Sequence, residues 1–238
     1  MVYVISDIHG QADAFFDIIE QINFSDCDEL YILGDIIDRG PKNFDIYKYI
    51  MDKPNIHFIL GNHEDMMMSF VNAVHRDAKY DSKKEYSFFT RRYLIHWYSN
   101  GGETTHDEMT GLNDEELGKI FDYIEDAPTF KKLEYKNKKY LLCHGAPPFF
   151  KEWDFEENMK NFTTEDFIWE RTYGDQKIPD GYTLIHGHTP VQHQFGKNGI
   201  VRYSNNTIYN IDCGCAMKKC LGCLRLDDDK EFYSYKMI

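Results

Sequence analysis

Short apolar segments alternate with amphipathic segments along the first part of the chain. Residues 2–6, 29–33 and 56–60 are apolar runs of strand length, and each run is followed directly by Asp or Gly. After the first run, apolar residues recur at helical spacing over residues 14–22, and a second helix is expected to begin near Pro41. Strands and helices in alternation predict a largely parallel sheet in an α/β domain.

The pattern changes over residues 64–126, where no strong strand signal occurs and Met, Phe, Tyr and charged residues are frequent. We interpret this segment as helical, forming a cap over the edge of the sheet. Its aromatic residues, including Phe88 and Phe89, are expected to form the core of the cap, an interpretation preferred to a platform for stacking bases. We therefore predict a single domain over residues 1–238 with a helical cap insertion around residues 65–128.

A second group of strands is predicted after the cap. Residues 130–135 and 139–144 flank Lys136-Asn137-Lys138, which predicts a hairpin. Because these strands form a block separate from the first, the chain is expected to build two sheets packed together. The remaining short strands are predicted at residues 183–185, 200–203, 207–211, 223–226 and 232–235.

The composition narrows the class of protein. Of the 238 residues, 42% are hydrophobic and 16% are aromatic, which is ample for a packed core and excludes a wholly disordered chain. The formal net charge of −13 would repel DNA or RNA, so no nucleic-acid partner is expected. No apolar run approaches the roughly 20 residues of a membrane span, and no export signal is visible at the N-terminus. Since six cysteines are also too few for a disulfide scaffold, we expect a cytoplasmic protein without a membrane partner.

Polar residues gather directly after five of the predicted strands, and glycine accompanies each group. In open α/β sheets, ligand sites form beyond the carboxyl ends of the strands, so these groups can converge on one crevice. Glycine permits the sharp turns and the close backbone approach that a shared site needs. The groups are Asp7-Ile8-His9-Gly10, Gly34-Asp35-Ile36-Ile37-Asp38-Arg39-Gly40, Gly61-Asn62-His63-Glu64, His144-Gly145 and His186-Gly187-His188-Thr189.

The residue types in these groups suit metal-assisted chemistry at phosphorus. Carboxylate and amide oxygens with imidazole nitrogens form mixed ligand sets, which suit manganese, iron or zinc rather than calcium. Two such ions about 3.5–4 Å apart can share a hydroxide and hold both ends of an in-line displacement. Arginine adds the forked pair of donors that phosphate oxygens accept. Each group alone is more typical of a turn or a core histidine, but their ordered occurrence at strand ends favours a shared site.

This ordered set resembles the phosphoprotein phosphatase family of calcineurin-like metallophosphoesterases. The resemblance covers about residues 2–225 and implies an α/β fold with two mixed β-sheets packed face to face and flanked by helices. It rests on Asp7-x-His9, Gly34-Asp35-x-x-Asp38-Arg39-Gly40, Gly61-Asn62-His63-Glu64, His144 and Gly187-His188-Thr189.

The resemblance implies two divalent metal ions as cofactors, with Mn²⁺ the leading candidate and iron or zinc still open. Asp7 and His9 would hold the first ion, and Asp35 would bridge the two ions. The second ion would be completed by Asn62, His144 and His188.

The resemblance also implies the groups that act on the phosphate ester. His63 matches the general acid that protonates the leaving oxygen, and Asp38 matches the carboxylate that orients it. A partner carboxylate favours the imidazolium, which is the form able to donate a proton. Arg39 matches a phosphate clamp, and Arg171 matches the second clamp through the shorter motif Trp169-Glu170-Arg171.

Two further assignments involve neighbouring candidates. His188 is assigned as the metal ligand and His186 as its neighbour, because the histidine of the family pattern stands directly after the glycine. Four cysteines near the C-terminus have spacings that allow a structural zinc site, but we favour buried thiols. These cysteines are Cys213, Cys215, Cys220 and Cys223.

The leading hypothesis for function is a phosphatase that hydrolyses phosphoserine or phosphothreonine in proteins by in-line attack of a metal-bridging hydroxide. The stretch Trp97-Tyr98-Ser99-Asn100-Gly101-Gly102 is similar to one in bacterial members of the family and in symmetrical diadenosine tetraphosphate hydrolases. Hydrolysis of a dinucleoside polyphosphate is therefore the alternative. A non-catalytic interaction protein is the third hypothesis, which the complete set of matched residues disfavours. The expected partner is a phosphoprotein or a phosphorylated small molecule.

Overall fold

The computed structural model describes residues 1–80, 86–174 and 176–238, so residues 81–85 of the predicted cap lie outside the described residues. The strands are β1 Val2–Ile5, β2 Glu29–Leu33, β3 Ile56–Ile59, β4 Phe130–Tyr135, β5 Lys138–Cys143, β6 Tyr182–His186, β7 Val201–Tyr203, β8 Ile208–Asn210, β9 Leu221–Arg225 and β10 Lys230–Ser234. The helices are α1 Ala12–Gln21, α2 Phe44–Ile50, α3 Asn62–Tyr80, α4 Phe88–Tyr98, α5 Glu103–Met109, α6 Asp114–Glu125, α7 Phe155–Asn161, α8 Thr164–Ile168 and α9 Val191–Phe195. Among the described residues, no helix is both long enough and apolar enough to cross a membrane.

The strands form two mixed sheets of five strands each, as predicted. The first sheet has the order β10-β9-β1-β2-β3, with β1, β2 and β3 parallel and β9 antiparallel to β1. The second has the order β4-β5-β6-β8-β7, with parallel pairs of β5 with β6 and of β6 with β8 at its centre. In each sheet, the parallel strands therefore bring their carboxyl ends to one edge.

Alternate residues of the central strands face two different cores. In β1, Val4 joins the apolar cluster between the sheets, whereas Ile5 joins the cluster under the helices of the first sheet. In β5, Leu142 faces the cluster between the sheets, whereas Leu141 packs in an outer cluster with residues of α7 and α8. Full burial of an Ile or Leu side chain stabilises the fold by roughly 1.5–3 kcal/mol. The sheets therefore pack face to face with helices outside, which confirms the predicted fold class.

The last two strands differ from the prediction in their position. β9 pairs with β1, so that Leu224 lies opposite Val4, and β10 pairs with β9. The later strands therefore do not form one block, because β4 to β8 build the second sheet while β9 and β10 extend the first. An alternating apolar pattern predicts that a strand exists but not which strand it pairs with.

Helices α3 to α6 lie between β3 and β4, where a helical segment was predicted. Within α4, Trp97 is fully buried, but the side chains of Phe88 and Phe89 are 72% and 65% exposed. Tyr86 and Tyr93 are exposed as well. The expectation that the aromatic residues of this segment form a core is therefore wrong for the outer side of α4, because a helix packed on one face leaves the other face in solvent.

Candidate metal centre and active site

Sharp turns at the strand ends carry most of the predicted site residues. Backbone hydrogen bonds join the turns after β1 and β2: the His9 N–H donates to the Asp35 carbonyl at 2.9 Å, and the Gly10 N–H donates to the Ile36 carbonyl at 2.7 Å. Left-handed conformations of residues other than glycine cost roughly 1–3 kcal/mol each and persist where the surroundings hold them, which is typical of functional sites. Positive φ angles between 50° and 73° occur at Asp7, His9, Asp35, Asp38, Arg39 and His188.

Gly61 allows the turns after β2 and β3 to touch. A Cβ atom at Gly61 would lie 2.4 Å from the backbone nitrogen of Asp35 and 2.4 Å from its Oδ1. Because Gly61 has no side chain, Asp35 reaches the beginning of α3, where its Oδ1 accepts a hydrogen bond from the His63 N–H at 3.1 Å.

One group of metal-binding atoms comes from His9, Asp35 and His63, which are all buried and offer donor atoms within 4.8 Å of one another. Asp35 Oδ2 lies 3.6 Å from His9 Nε2 and 3.8 Å from His63 Nε2. Burial and the nearby Arg39 hold the pKa of His9 well below its usual range, so this ring is neutral. Burial opposes ionisation of Asp35, but His144 and His63 outweigh it and hold the pKa of Asp35 well below its usual range.

A second group consists of Asp35, His144 and His188, again within 4.8 Å of one another. His144 Nε2 lies 3.3 Å from Asp35 Oδ2 and 3.1 Å from His188 Nδ1. Asn62 Oδ1 completes the cluster at 2.9 Å from His144 Nε2 and 2.8 Å from His188 Nδ1. Burial alone would lower the pKa of His144, but Asp35 and Asp7 raise it to about 10. The cluster therefore favours a positive charge at its centre.

Asp7 lies beside the second group. Its carboxylate accepts hydrogen bonds from Ser6 Oγ at 2.5 Å and from the His188 N–H at 3.0 Å. Burial is the largest influence on Asp7 and raises its pKa. The carboxylate belongs to neither of the two donor groups within 4.8 Å, so its role as a metal ligand stays a prediction.

His63, Asp38 and Arg39 form a hydrogen-bonded chain next to the first group. His63 Nδ1 lies 2.6 Å from Asp38 Oδ2, and His63 Nε2 lies 2.9 Å from a guanidinium nitrogen of Arg39. A guanidinium only donates, so His63 Nε2 accepts and Nδ1 carries the proton shared with Asp38. Asp38 is fully buried and Arg39 is exposed, so the chain runs from the interior to the surface.

Arg171 approaches the site from the second sheet. It is exposed and forms a β-bridge with Ala146, in the loop after β5. After burial and His144, its charge is the next influence that lowers the pKa of His188. The neighbouring Trp169 ring packs edge-on against His188, with centroids 6.1 Å apart. Arg171 therefore lies on the side of the second donor group.

His186 forms its hydrogen bonds with residues outside both donor groups. Its Nδ1–H donates to the Gly187 carbonyl at 2.9 Å, and its Nε2 accepts from the Tyr203 hydroxyl at 2.9 Å. Burial lowers the pKa of His186 to about 4, so the ring is neutral. Both ring nitrogens are thus satisfied without a metal ion.

Sequence reasoning assigned no role to Glu64, although it stands in a motif that was singled out. Its carboxylate accepts hydrogen bonds from the N–H groups of Asp35 at 2.9 Å and Ile36 at 2.8 Å, and from the Tyr47 hydroxyl at 3.1 Å. Burial and the charge of Asp35 raise the pKa of Glu64 to about 7. Glu64 therefore holds the turn that carries Asp35.

Trp97 and Thr105 were also missed as partners of Asp38. Both are fully buried, and both donate hydrogen bonds to the Asp38 carboxylate from α4 and α5. The sequence signal was the stretch beginning at Trp97, whose similarity to related enzymes did not indicate this contact.

The four cysteines near the C-terminus are divided between two cores. Cys213 and Cys220 belong to the cluster between the sheets, whereas Cys215 and Cys223 belong to the cluster under the helices. All four are buried free thiols. In the described part of the chain, no three of these sulfur atoms lie within 4.8 Å of one another. The structure therefore does not bring four thiols to one position.

The donor set fits divalent metal ions. Neutral imidazoles and an ionised carboxylate are the forms that bind such ions, and an amide oxygen adds a hard ligand. The carboxylates around His144 raise its pKa and so favour a positive charge at this position, and a bound cation would supply that charge. The buried Nε2 of His188 has no hydrogen-bond partner among the described residues, which leaves a donor atom available.

Comparisons with known proteins show which family and which proteins this chain is similar to. The sequence profile of calcineurin-like phosphoesterases matches residues 1–212. Serine/threonine-protein phosphatase 2 of Salmonella typhimurium is 26% identical over 171 residues, which are 71% of this chain and 67% of that protein. The symmetrical bis(5'-nucleosyl)-tetraphosphatase of Buchnera aphidicola is 40% identical over 88 residues, which are only 36% of this chain and 30% of that protein. The crystal structure of a candidate diadenosine tetraphosphatase has a TM-score of 0.65 at 13% identity, covering 98% of this chain and 92% of that one.

Proposed function

The chain belongs to the calcineurin-like phosphoesterase family, and from this premise we propose that it removes phosphate from phosphoserine and phosphothreonine in proteins with the help of two divalent metal ions. Family membership confirms the predicted class of enzyme, a metal-dependent phosphatase. The match to serine/threonine-protein phosphatase 2 supports the protein substrate, because it is about twice as long as the match to the tetraphosphatase. The observation that carries the proposal is the chain of Asp38, His63 and Arg39 beside two donor groups.

We assign the metal ligands from the family pattern, and all of them except Asp7 converge in the two donor groups or, for Asn62, bond to one of them. When bound, the two ions would lower the pKa of a water molecule and neutralise charge on the phosphoryl oxygens. Manganese is the leading choice, and iron or zinc suits the same nitrogen and oxygen donors. The ligands would be Asp7, His9 and Asp35 for one ion and Asp35, Asn62, His144 and His188 for the other.

Arginine and histidine side chains supply the remaining chemistry. Arg39 would hold the phosphoryl oxygens with its forked donors, and Arg171 would hold them from the side of the second sheet. Once Arg39 turns from His63 Nε2 to the phosphoryl oxygens, that nitrogen is free to take up a proton. As the bond from phosphorus to the serine or threonine oxygen breaks, His63 gives this Nε2 proton to that oxygen. Asp38 accepts from Nδ1 throughout, which stabilises the imidazolium before the transfer. Residues 1–238 would form one domain, with α3 to α6 as its cap.

The experiment that tests the proposal compares two substrates in manganese buffer. A phosphothreonine peptide should exceed diadenosine tetraphosphate in kcat/KM by about a hundredfold, since binding differences in the groove are expressed in that constant. The variant Asp35→Asn serves as the blank. Preference for the dinucleotide, with two molecules of ADP as products, would replace the proposed substrate. Absence of hydrolysis with both would favour a non-catalytic interaction protein.

A symmetrical hydrolase of dinucleoside tetraphosphates is the second candidate. The tetraphosphatase of Buchnera aphidicola has the higher local identity, and α4 offers a surface suited to a base. Phe89, Arg92, Tyr93 and His96 line one exposed groove at spacings of three and four residues. The His96 ring lies 5.9 Å from that of Trp169, which borders the second donor group. Exposed aromatic rings beside a cation favour stacking of a nucleobase.

A further inference from the structure

The segment that joins α4 to α5, residues 97–105, packs against the turn that carries Asp38 and Arg39. Trp97 lies in the last turn of α4, and Thr105 lies in the first turn of α5. Both side chains are fully buried, as is Asp38. The segment therefore approaches the proposed acid from outside the strand-end turns.

Both ends of the segment bond to Asp38. Trp97 Nε1–H donates to Asp38 Oδ2 at 2.9 Å, and the same oxygen lies 2.6 Å from His63 Nδ1. The Thr105 hydroxyl donates to Asp38 Oδ1 at 2.5 Å and accepts from the Asp38 backbone N–H at 2.9 Å. Donors thus reach the carboxylate from three directions, which fixes the direction in which it faces His63.

The middle of the segment holds Arg39. The Arg39 N–H donates to the Gly101 carbonyl at 3.0 Å, and its Nε–H donates to the Asn100 carbonyl at 3.3 Å. Gly101 has a φ of 96°, and a Cβ atom there would lie 2.8 Å from Arg39 Cγ. Asp38 and Arg39 themselves have φ angles of 73° and 69°. Bonds from this segment therefore support two successive left-handed residues, a conformation that needs such support.

We propose that Trp97 and Thr105 are positioning residues for the acid step. They orient Asp38, and through it they aim the proton-donating nitrogen of His63 at the leaving oxygen. The inference rests on the proposed phosphomonoesterase function and adds residues from the helical segment to it. Neither residue is a catalytic residue, since both act through Asp38.

The need for a correctly aimed proton depends on the leaving group. When the ester is an alkyl phosphate, an attacking water forms the new bond to phosphorus and the departing alkoxide takes the proton from His63 Nε2. His63 is then neutral and recovers a proton from the water that was consumed. A nitrophenolate departs as a stable anion, so its ester does not need that proton. Loss of positioning therefore slows the alkyl ester selectively.

The test compares the parent with Thr105→Val and Thr105→Ser on a phosphothreonine peptide and on p-nitrophenyl phosphate. Valine has nearly the shape of threonine but no hydroxyl. We expect kcat to fall about tenfold or more on the peptide and less than about threefold on the aryl ester, with KM unchanged on both. Thr105→Ser retains the hydroxyl and should keep kcat on the peptide within about twofold of the parent.

Two further variants complete the design. Trp97→Phe keeps an aromatic ring but lacks the N–H, so it should change the ratio of the two kcat values in the same direction. Thr90→Val is the matched control, because Thr90 is equally buried but bonds to Ser87 instead of Asp38. The control should leave the ratio unchanged.

Two results would overturn the inference: an unchanged ratio of the two kcat values in Thr105→Val, whether both fall equally or neither falls, or no recovery in Thr105→Ser. If circular dichroism shows that Thr105→Val does not fold, the ratio in Trp97→Phe decides in the same way. A parent enzyme that hydrolyses neither ester would contradict the proposed function instead, so the two failures are distinguishable.

Discussion

The buried ring of His186 allows a test of how burial beside the site changes the pKa of a histidine, because its two hydrogen bonds are compatible only with the neutral form. Its Nδ1–H donates to the Gly187 carbonyl, and its Nε2 accepts from Tyr203, whose own pKa burial raises to about 12. Burial lowers the pKa of His186 from 6.5 to about 4. Because the unfolded chain takes up the proton first as the pH falls, stability is complete above pH 6.5 and is lost towards pH 4.

The size of this loss follows from the two pKa values. Protonation of the unfolded chain with a pKa of 6.5, against about 4 in the folded protein, lowers the free energy of unfolding by about 2 kcal/mol at pH 5. The variant His186→Asn removes this titration, and its amide N–H replaces the Nδ1–H donor to Gly187. Urea unfolding of both proteins without metal, at pH 7.5 and pH 5, gives the four free energies needed.

The stability gap between the parent and His186→Asn should shrink by about 2 kcal/mol from pH 7.5 to pH 5. A gap that changes by less than about 0.5 kcal/mol would refute the reasoning, because a ring that titrates normally contributes no such difference. Since neither nitrogen of His186 faces a donor group, the variant should also keep bound metal and retain kcat within about threefold at pH 7.5.

Four further outcomes are expected. Asp35→Asn should lose both metal ions and lower turnover at least about a hundredfold, because one carboxylate oxygen of Asp35 faces both donor groups. Metal content and turnover are measured together, and turnover within about tenfold of the parent would contradict a bridging role. His63→Asn should lower kcat far more on a phosphothreonine peptide than on p-nitrophenyl phosphate, and equal losses would exclude a general acid. If the second candidate is right, Tyr93→Ala should raise KM for diadenosine tetraphosphate about tenfold but not that for p-nitrophenyl phosphate; an unchanged KM would remove α4 from base binding. Thiol titration in denaturant should give equal counts with and without chelator, whereas four thiols unmasked only by chelator would indicate zinc at Cys213, Cys215, Cys220 and Cys223.

The parts of the fold that the sequence predicts well are those with local causes. β2 begins and ends at the predicted residues, because an apolar run stops at Gly34. The hairpin of β4 and β5 turns at Lys136 and Asn137, whose positive φ angles of 48° and 61° suit a two-residue turn containing Asn. The strand-end groups are equally local, since each polar residue follows its strand within a few positions. Their convergence then follows from the parallel arrangement of the strands.

The contacts that the sequence does not predict join distant parts of the chain. β9 reaches β1 from the opposite end of the sequence, and nothing in its own pattern names that partner. Trp97 is 59 residues away from Asp38, yet it bonds to the oxygen that faces His63. Such contacts depend on how α4 and α5 pack against the turn after β2. A side chain that packs and also donates a hydrogen bond resembles an ordinary core residue in the sequence.

The two faces of α4 show why aromatic content alone misled the prediction. Trp97 is buried and bonds to Asp38, whereas Phe89 and Tyr93 on the outer face are exposed. Aromatic residues on both faces of a helix are predicted to be buried, because composition does not show which face of the helix packs against the rest of the protein. Exposed apolar side chains that form one contiguous patch mark an interaction surface, whereas single exposed ones are ordinary. Because Tyr93 and Trp97 lie on the same short helix, a substrate that contacts Tyr93 would contact the helix whose Trp97 orients Asp38 and His63.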